Sequence, residues 1–267
     1  MTIKLNDIWP LAAPKNYKLH FARWNGTNQP LEVWARNKRE WQGWQEYRPA
    51  RDDFNRPFIF SLIQFYHETD VWMFGGVFRV LQRHPDRYEV ELTAEGEGFQ
   101  GRLKLGSNYR ERATRVKLEG HYSNFEVQEI LREPYSGRSF SGFDQIDLSF
   151  EELETLVRNN RPDWKAALAS VKGIYLISDT NTGKRYVGSA SGSDGIWSRW
   201  CNYVETGHGG NVKMRAIVSE HTLDYCRKAF RFALLEYRPS STPDELILTR
   251  ETFWRTILLT RGERGLN

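Results

Sequence analysis

Between Asn16 and Tyr135 the apolar residues come in short blocks rather than at helical spacing. Phe58 to His67, Val71 to Gln82, Tyr88 to Thr93 and Gly101 to Leu105 are the clearest blocks, rich in Phe, Ile, Val, Tyr and Trp. Those side chains suit a pleated surface, so each block predicts a strand. The turn formers His84-Pro85-Asp86-Arg87 and Glu95-Gly96-Glu97-Gly98 fall between them, giving the rhythm of an antiparallel barrel or sandwich. After Phe143 the pattern changes. Ser149 and Glu152 have capping-box spacing, and Leu148, Leu153 and Leu156 supply an apolar stripe, which predicts a helix. Pro162 opens a second short helical stretch through Trp164 and Leu168. The fold class expected is α+β: a β-rich barrel-like or sandwich domain over residues 1–147, a helical connector over 148–170, and a small α/β domain over 171–267.

The last segment carries the candidate chemistry. Gly173-Ile174-Tyr175-Leu176-Ile177 and Lys184-Arg185-Tyr186-Val187-Gly188 read as two strands, joined by the turn-forming run Asp179-Thr180-Asn181-Thr182-Gly183. Beyond this hairpin, Gly195 to Tyr203 reads as a helix with Arg199 and Tyr203 four residues apart and so on one face. Thr206-Gly207-His208-Gly209-Gly210-Asn211 follows, with three glycines that permit close backbone approach to a ligand. Thr242-Pro243-Asp244-Glu245 then combines an N-cap, a proline at the first helical position and a capping Glu. It predicts a helix from Pro243 to about Leu259 that presents Glu251, Trp254, Arg255 and Leu258 on one face. The sequence ends Arg261-Gly262-Glu263-Arg264-Gly265-Leu266-Asn267.

Taken in order, these residues resemble the GIY-YIG nuclease family, with Val187 where the family more often has Ile. The resemblance covers about the last hundred residues and implies a small domain with a central antiparallel sheet flanked by helices. It also implies roles. Glu251 would be the metal ligand, holding one Mg²⁺, with Mn²⁺ as the alternative, while water and phosphate oxygens complete its shell. Arg199 would offer a permanently charged, planar fork to the phosphate. Tyr175 would act on the attacking water, its pKa lowered by the cation and Arg199, and Tyr186 would orient water or Tyr175. Asn267 would hold the phosphate or a neighbouring side chain. Tyr203 joins the site as the aromatic one helical turn after Arg199, and His208 would supply a phosphate contact or a proton.

Composition narrows the partners. The net charge of +4 arises from 38 Lys and Arg against 34 Asp and Glu. Residues 171–267 hold fourteen of those cations and ten of the anions, leaving twenty-four of each before them. The excess therefore sits in the candidate nuclease segment, which suits a polyanion, as does a solvated surface. With 39% hydrophobic residues and 27% charged, no apolar run suggests a membrane span. The start, Met1 to Asn6 followed by Asp7, Trp9 and Pro10, lacks a secretion-signal pattern, so a cytoplasmic location is expected. Cys201 and Cys226 are too few and too far apart for a zinc cluster and read as structural thiols.

Five tryptophans, Trp9, Trp24, Trp34, Trp41 and Trp44, crowd the first fifty residues. They read either as a dense core or as an aromatic pocket that stacks an extruded base. The expectation is a metal-dependent DNA endonuclease of restriction type acting on double-stranded DNA, as a homodimer or by successive visits. Its target would be chosen by the N-terminal domain through sequence or a modified cytosine. The alternatives are a sequence-specific enzyme of unmodified DNA, a mobile-element or repair nuclease, and a non-catalytic nucleic-acid-binding protein on a nuclease scaffold.

Overall fold

The computed structural model describes residues 2 to 267, the side chain of Arg264 excepted. It falls into two units, Met1–Tyr135 and Ser136–Asn267, with Met1 itself outside the described residues. Among the described residues no helix is long and apolar enough to cross a membrane.

The first unit is built on seven strands: β1 (Tyr17–Ala22), β2 (Phe58–Gln64), β3 (Val71–Arg83), β4 (Tyr88–Leu92), β5 (Leu103–Gly106), β6 (Arg115–Lys117) and β7 (Glu126–Ile130). They form one sheet in the order β6-β1-β2-β3-β5-β7, with β4 on β3. The β-rich content matches the sequence expectation, but the arrangement is an open mixed sheet. Strands β1 and β2 run parallel, and no pairing among the described residues joins β6 to β7. A parallel pair needs a crossover. After the short α1 (Leu5–Ile8), that crossover is supplied by α2 (Pro30–Arg36) and α3 (Lys38–Glu46), in a stretch that the sequence reads mainly as strands. Pro30 starts α2, and the Asn37 side chain caps α3 by accepting from the Arg39 and Glu40 amides. Trp34 and Trp41 are buried to 2% and 1% exposure, so burial against the sheet overrides their preference for strands.

Both faces of this sheet are covered. Ile59, Ile63, Met73 and Phe78 meet Trp34 and Trp41 on one side, and Leu19, Phe60, Phe74 and Leu105 pack on the other. That explains why β2 and β3 read as continuous apolar runs rather than as alternating ones.

The second unit holds β8 (Asp147–Ser149), α4 (Phe150–Arg158), α5 (Pro162–Ala169), β9 (Val171–Asp179), β10 (Arg185–Ala190), α6 (Gly195–Thr206), α7 (Val212–Ala229), β11 (Phe230–Pro239) and α8 (Asp244–Ile257). Its sheet runs β10-β9-β11-β8 and is antiparallel throughout. The capping box forms as expected: the Ser149 amide donates to Glu152 at 2.7 Å and the Glu152 amide to Ser149 Oγ at 3.2 Å.

Residues 148–170, expected as a connector, belong to this unit. Leu148 pairs with Phe232, and Phe150, Leu153, Leu156, Trp164 and Leu168 share a core with Tyr175 and Trp200. The boundary accordingly falls after Tyr135 rather than at 147, because the apolar stripe of α4 is buried in the core of the second unit. Helix α8 matches the expected span, although its N-cap is Pro243, one residue later than expected and without a side-chain cap bond.

Candidate active site

The hairpin β9–β10 divides the chemistry between its two faces. Tyr175 pairs with Gly188 and Tyr186 with Ile177. Since side chains alternate along a strand, Tyr175, Tyr186 and Gly188 share the face toward α6, while Val187 and Ser189 face α8. Gly188 is required by close approach. A Cβ there would lie 2.5 Å from the Tyr175 hydroxyl and 2.7 Å from the Tyr186 ring. Gly173 is required for a different reason, since its Cβ would meet the Glu236 carbonyl of β11 at 2.4 Å, beside the bulge between Leu234 and Glu236.

On the α6 side the candidates converge. Arg199 Nε donates to the Tyr175 hydroxyl at 3.1 Å, and the Tyr175 and Tyr203 hydroxyls lie 3.2 Å apart. The Arg199 guanidinium carbon sits 5.4 Å from the centre of the Tyr203 ring. The Tyr186 ring is 6.4 Å from the rings of both Tyr175 and Tyr203. The lowering expected for Tyr175 was to come from a bound cation together with Arg199. From the protein groups alone, its side chain is fully buried, and burial, followed by the nearby Tyr186, holds the phenol well above its ordinary value. Arg199 pulls the other way without prevailing. Burial likewise raises Tyr203. For Arg199 itself burial opposes the charge, but a guanidinium stays protonated in proteins at any ordinary pH. Among the three tyrosines, the Tyr186 hydroxyl makes no hydrogen bond to the described residues.

On the α8 side, Glu251 is 6% exposed. Its Oε2 accepts from Ser189 Oγ at 2.6 Å, and its Oε1 is paired with Arg255 one turn later. Ser189 also lines a cavity of about 480 Å³ together with Arg199, Ser198 and Asn202. The cavity thus connects Arg199 to Glu251 through one hydroxyl. Sequence reasoning missed Ser189 and the role of Arg255. The spacing of Glu251 and Arg255 carried a signal, whereas Ser189 carried none.

Asn267 and His208 are each held by contacts to the backbone. Both polar atoms of the Asn267 side chain bond the Val187 backbone, Oδ1 accepting from its amide at 2.9 Å and Nδ2 donating to its carbonyl at 2.8 Å. Asn267 therefore holds β10 through its side chain. His208 Nδ1 accepts from the Gly210 amide at 2.9 Å, and partial burial, then Arg215, lowers its pKa. It has no hydrogen bond to the other candidates. Its loop instead packs on the site: a Cβ at Gly209 would lie 2.5 Å from the Tyr203 ring. Cys201 and Cys226 are free thiols.

The donor set fits a divalent cation that keeps most of its water. Among the described residues no three His, Cys, Asp or Glu gather as a cluster, and the hard oxygens present are Ser189 Oγ on the wall of an open cavity and the Glu251 carboxylate bonded behind it. Magnesium accepts one carboxylate with water and phosphate oxygens, whereas zinc prefers three or four protein ligands.

Two solved structures of the catalytic domain of the intron, or homing, endonuclease I-TevI, one of them a mutant, are similar to this chain. They are 30% and 31% identical to it over 36% of this chain and 92% and 96% of theirs, each with a TM-score of 0.28. The C-terminal unit belongs to the GIY-YIG nuclease family. The identity extends over nearly the whole of that catalytic domain, and the chain carries the paired tyrosine strands, Arg199 and Glu251 in the family's order. No family model matches the chain. No curated protein matches it.

Proposed function

We propose that the protein is a metal-dependent DNA endonuclease of restriction type whose first unit selects the target by reading a modified cytosine. The observation that supports catalysis most directly is the cavity bounded by Arg199 and Ser189, with Tyr175 bonded to the first and Glu251 to the second. Glu251, assisted by Ser189, would hold Mg²⁺, or Mn²⁺ in its place. A cation there supplies charge neutralisation at the scissile phosphate and the leaving oxygen.

The chain's own residues treat the remaining difficulties of phosphodiester hydrolysis. Arg199, kept charged and aimed by the Tyr175 hydroxyl, binds a non-bridging phosphate oxygen and stabilises the charge that grows during attack. Tyr175 and Tyr203 act as neutral positioning groups, consistent with the burial that keeps them protonated. Tyr186, whose hydroxyl is uncommitted, engages the attacking water. One such centre per chain cuts one strand at a time, so a double-strand break takes two copies or two visits.

The reading is tested by incubating wild type and Glu251→Ala with Mg²⁺ and matched duplexes containing cytosine, 5-methylcytosine or 5-hydroxymethylcytosine. Cleavage confined to modified duplexes and abolished by the substitution is expected. Equal cutting of all three would remove modification dependence, and cutting unaffected by Glu251→Ala would remove this site.

A further inference from the structure

The first unit contains a cavity that the nuclease chemistry does not use. It has a volume of about 640 Å³ and opens where the end of β1 meets β6 and α3, within the range of about 300–1,000 Å³ usual for ligand sites. Trp24, Trp44 and Tyr47 line it. Trp24 and Tyr47 are 59% and 66% exposed, unlike Trp34 and Trp41, which are committed to the core. Large rings left so open at a cavity mouth forgo the burial that normally stabilises them, and their flat faces suit stacking.

The polar wall of the cavity is also incomplete. The Arg115 side chain is 8% exposed and lies over the Phe54 ring, its guanidinium carbon 4.3 Å from the ring centre. Its Nη2 donates to the Tyr47 carbonyl at 2.9 Å, while its buried Nη1 has no hydrogen-bond partner. Asp53 Oδ2, on the same wall, stands 4.0 Å from Nη1, too far for a hydrogen bond. A buried unmet donor costs about 1–3 kcal/mol, so a ligand acceptor placed there recovers binding energy. His20 beside it donates nothing further, since its Nδ1 faces Gln45 at 2.7 Å.

We infer that this cavity receives a cytosine base extruded from duplex DNA, stacked on Trp24 and Tyr47, with Asp53 and Arg115 reading its pairing edge. That edge presents one amine, which Asp53 accepts, beside two acceptors, a ring nitrogen and a carbonyl oxygen, which suit the free Arg115 nitrogen. Thymine offers no exocyclic amine to Asp53, and guanine presents two donors and one acceptor. The C5 edge, where cytosine carries its modifications, lies away from the pairing edge. The inference rests on the reading that the first unit chooses the target.

The full-length protein, in EDTA so that nothing is cut, would be titrated with random-sequence duplexes made with cytosine, 5-methylcytosine or 5-hydroxymethylcytosine. A parallel series carries the fluorescent analogue pyrrolocytosine, whose emission rises when it leaves the stack. Wild type is expected to raise that emission and to favour one of the three duplex pools. Trp24→Ala or Tyr47→Ala should each weaken the favoured pool by about 5- to 100-fold, and Asp53→Asn, which disturbs the pairing edge that all three cytosines share, should flatten the emission rise and leave only weak binding to every pool. If wild type discriminates among the pools but emission stays flat and both aromatic variants discriminate equally well, the cavity proposal is overturned and target selection by the first unit stands. If wild type binds all pools alike with flat emission, both fall.

Discussion

The Asn267 side chain forms two hydrogen bonds with the Val187 backbone, at 2.9 and 2.8 Å, and so grips β10 between Tyr186 and Gly188. Lys213 Nζ steadies the stretch that carries Asn267 by donating to the Gly262, Gly265 and Asn267 carbonyl oxygens. Asn267→Ala removes both bonds and leaves a strand amide and carbonyl unmet. Each such bond is worth about 1 kcal/mol. A melting curve should show the variant destabilised by about 2 kcal/mol, with turnover reduced more than DNA affinity. Unchanged stability with lost DNA affinity would instead return Asn267 to phosphate binding.

Arg199 donates through Nε to Tyr175, and the rest of its fork would serve the phosphate in the proposed mechanism. Lysine preserves the charge but has no fork, so it cannot hold the phenol and the phosphate together. Arg199→Lys should fold normally and cleave about 100-fold more slowly or worse, the scale for losing one preorganised donor. Single-turnover kinetics at saturating enzyme measure this, and near wild-type cleavage would show that charge alone suffices.

Arg255 is paired with Glu251, where it would compete with the proposed cation. Arg255→Gln should therefore lower the Mg²⁺ concentration that gives half-maximal cleavage, whereas Ser189→Ala should raise it, since that hydroxyl holds Glu251 Oε2 in place. EDTA should abolish cleavage in both variants. A metal titration decides: an upward shift for Arg255→Gln would mean that the ion pair positions Glu251 instead of occupying it.

His20 is buried and its pKa is lowered to about 3, by burial first and the nearby Arg115 second, with the Gln45 bond opposing. The depressed value means that the folded state binds the neutral ring. The stabilisation is complete above the ordinary value of about 6.5 and declines as pH falls from there toward 3, by about 1.4 kcal/mol per unit. Urea melts between pH 7 and pH 4 should show this decline, and His20→Gln should flatten it. An equal slope in the variant would assign acid sensitivity elsewhere.

The order of chemistry along the second unit was legible because it is written locally. The hairpin needs only two short strands and a turn, the Ser149–Glu152 cap needs three residues of spacing, and Arg199 and Tyr203 share a face by helical period. The β-rich character of the first unit was legible for the same reason. Its helices α2 and α3 were not, because Trp34 and Trp41 prefer strands locally and are helical only through burial against the sheet.

The sequence by itself determined which residue types stand at each step of the nuclease motif, and hence the family and the strands and helices that carry it. Tertiary structure alone decided what those residues do to one another. It buried Tyr175 and raised its pKa, turned Asn267 onto Val187, brought Ser189 between the cavity and Glu251, moved the unit boundary to Tyr135, and left the Arg115 Nη1 without a partner. Each of these depends on contacts between residues far apart in the chain, where spacing and periodicity carry no information and only packing sets distance, burial and charge environment.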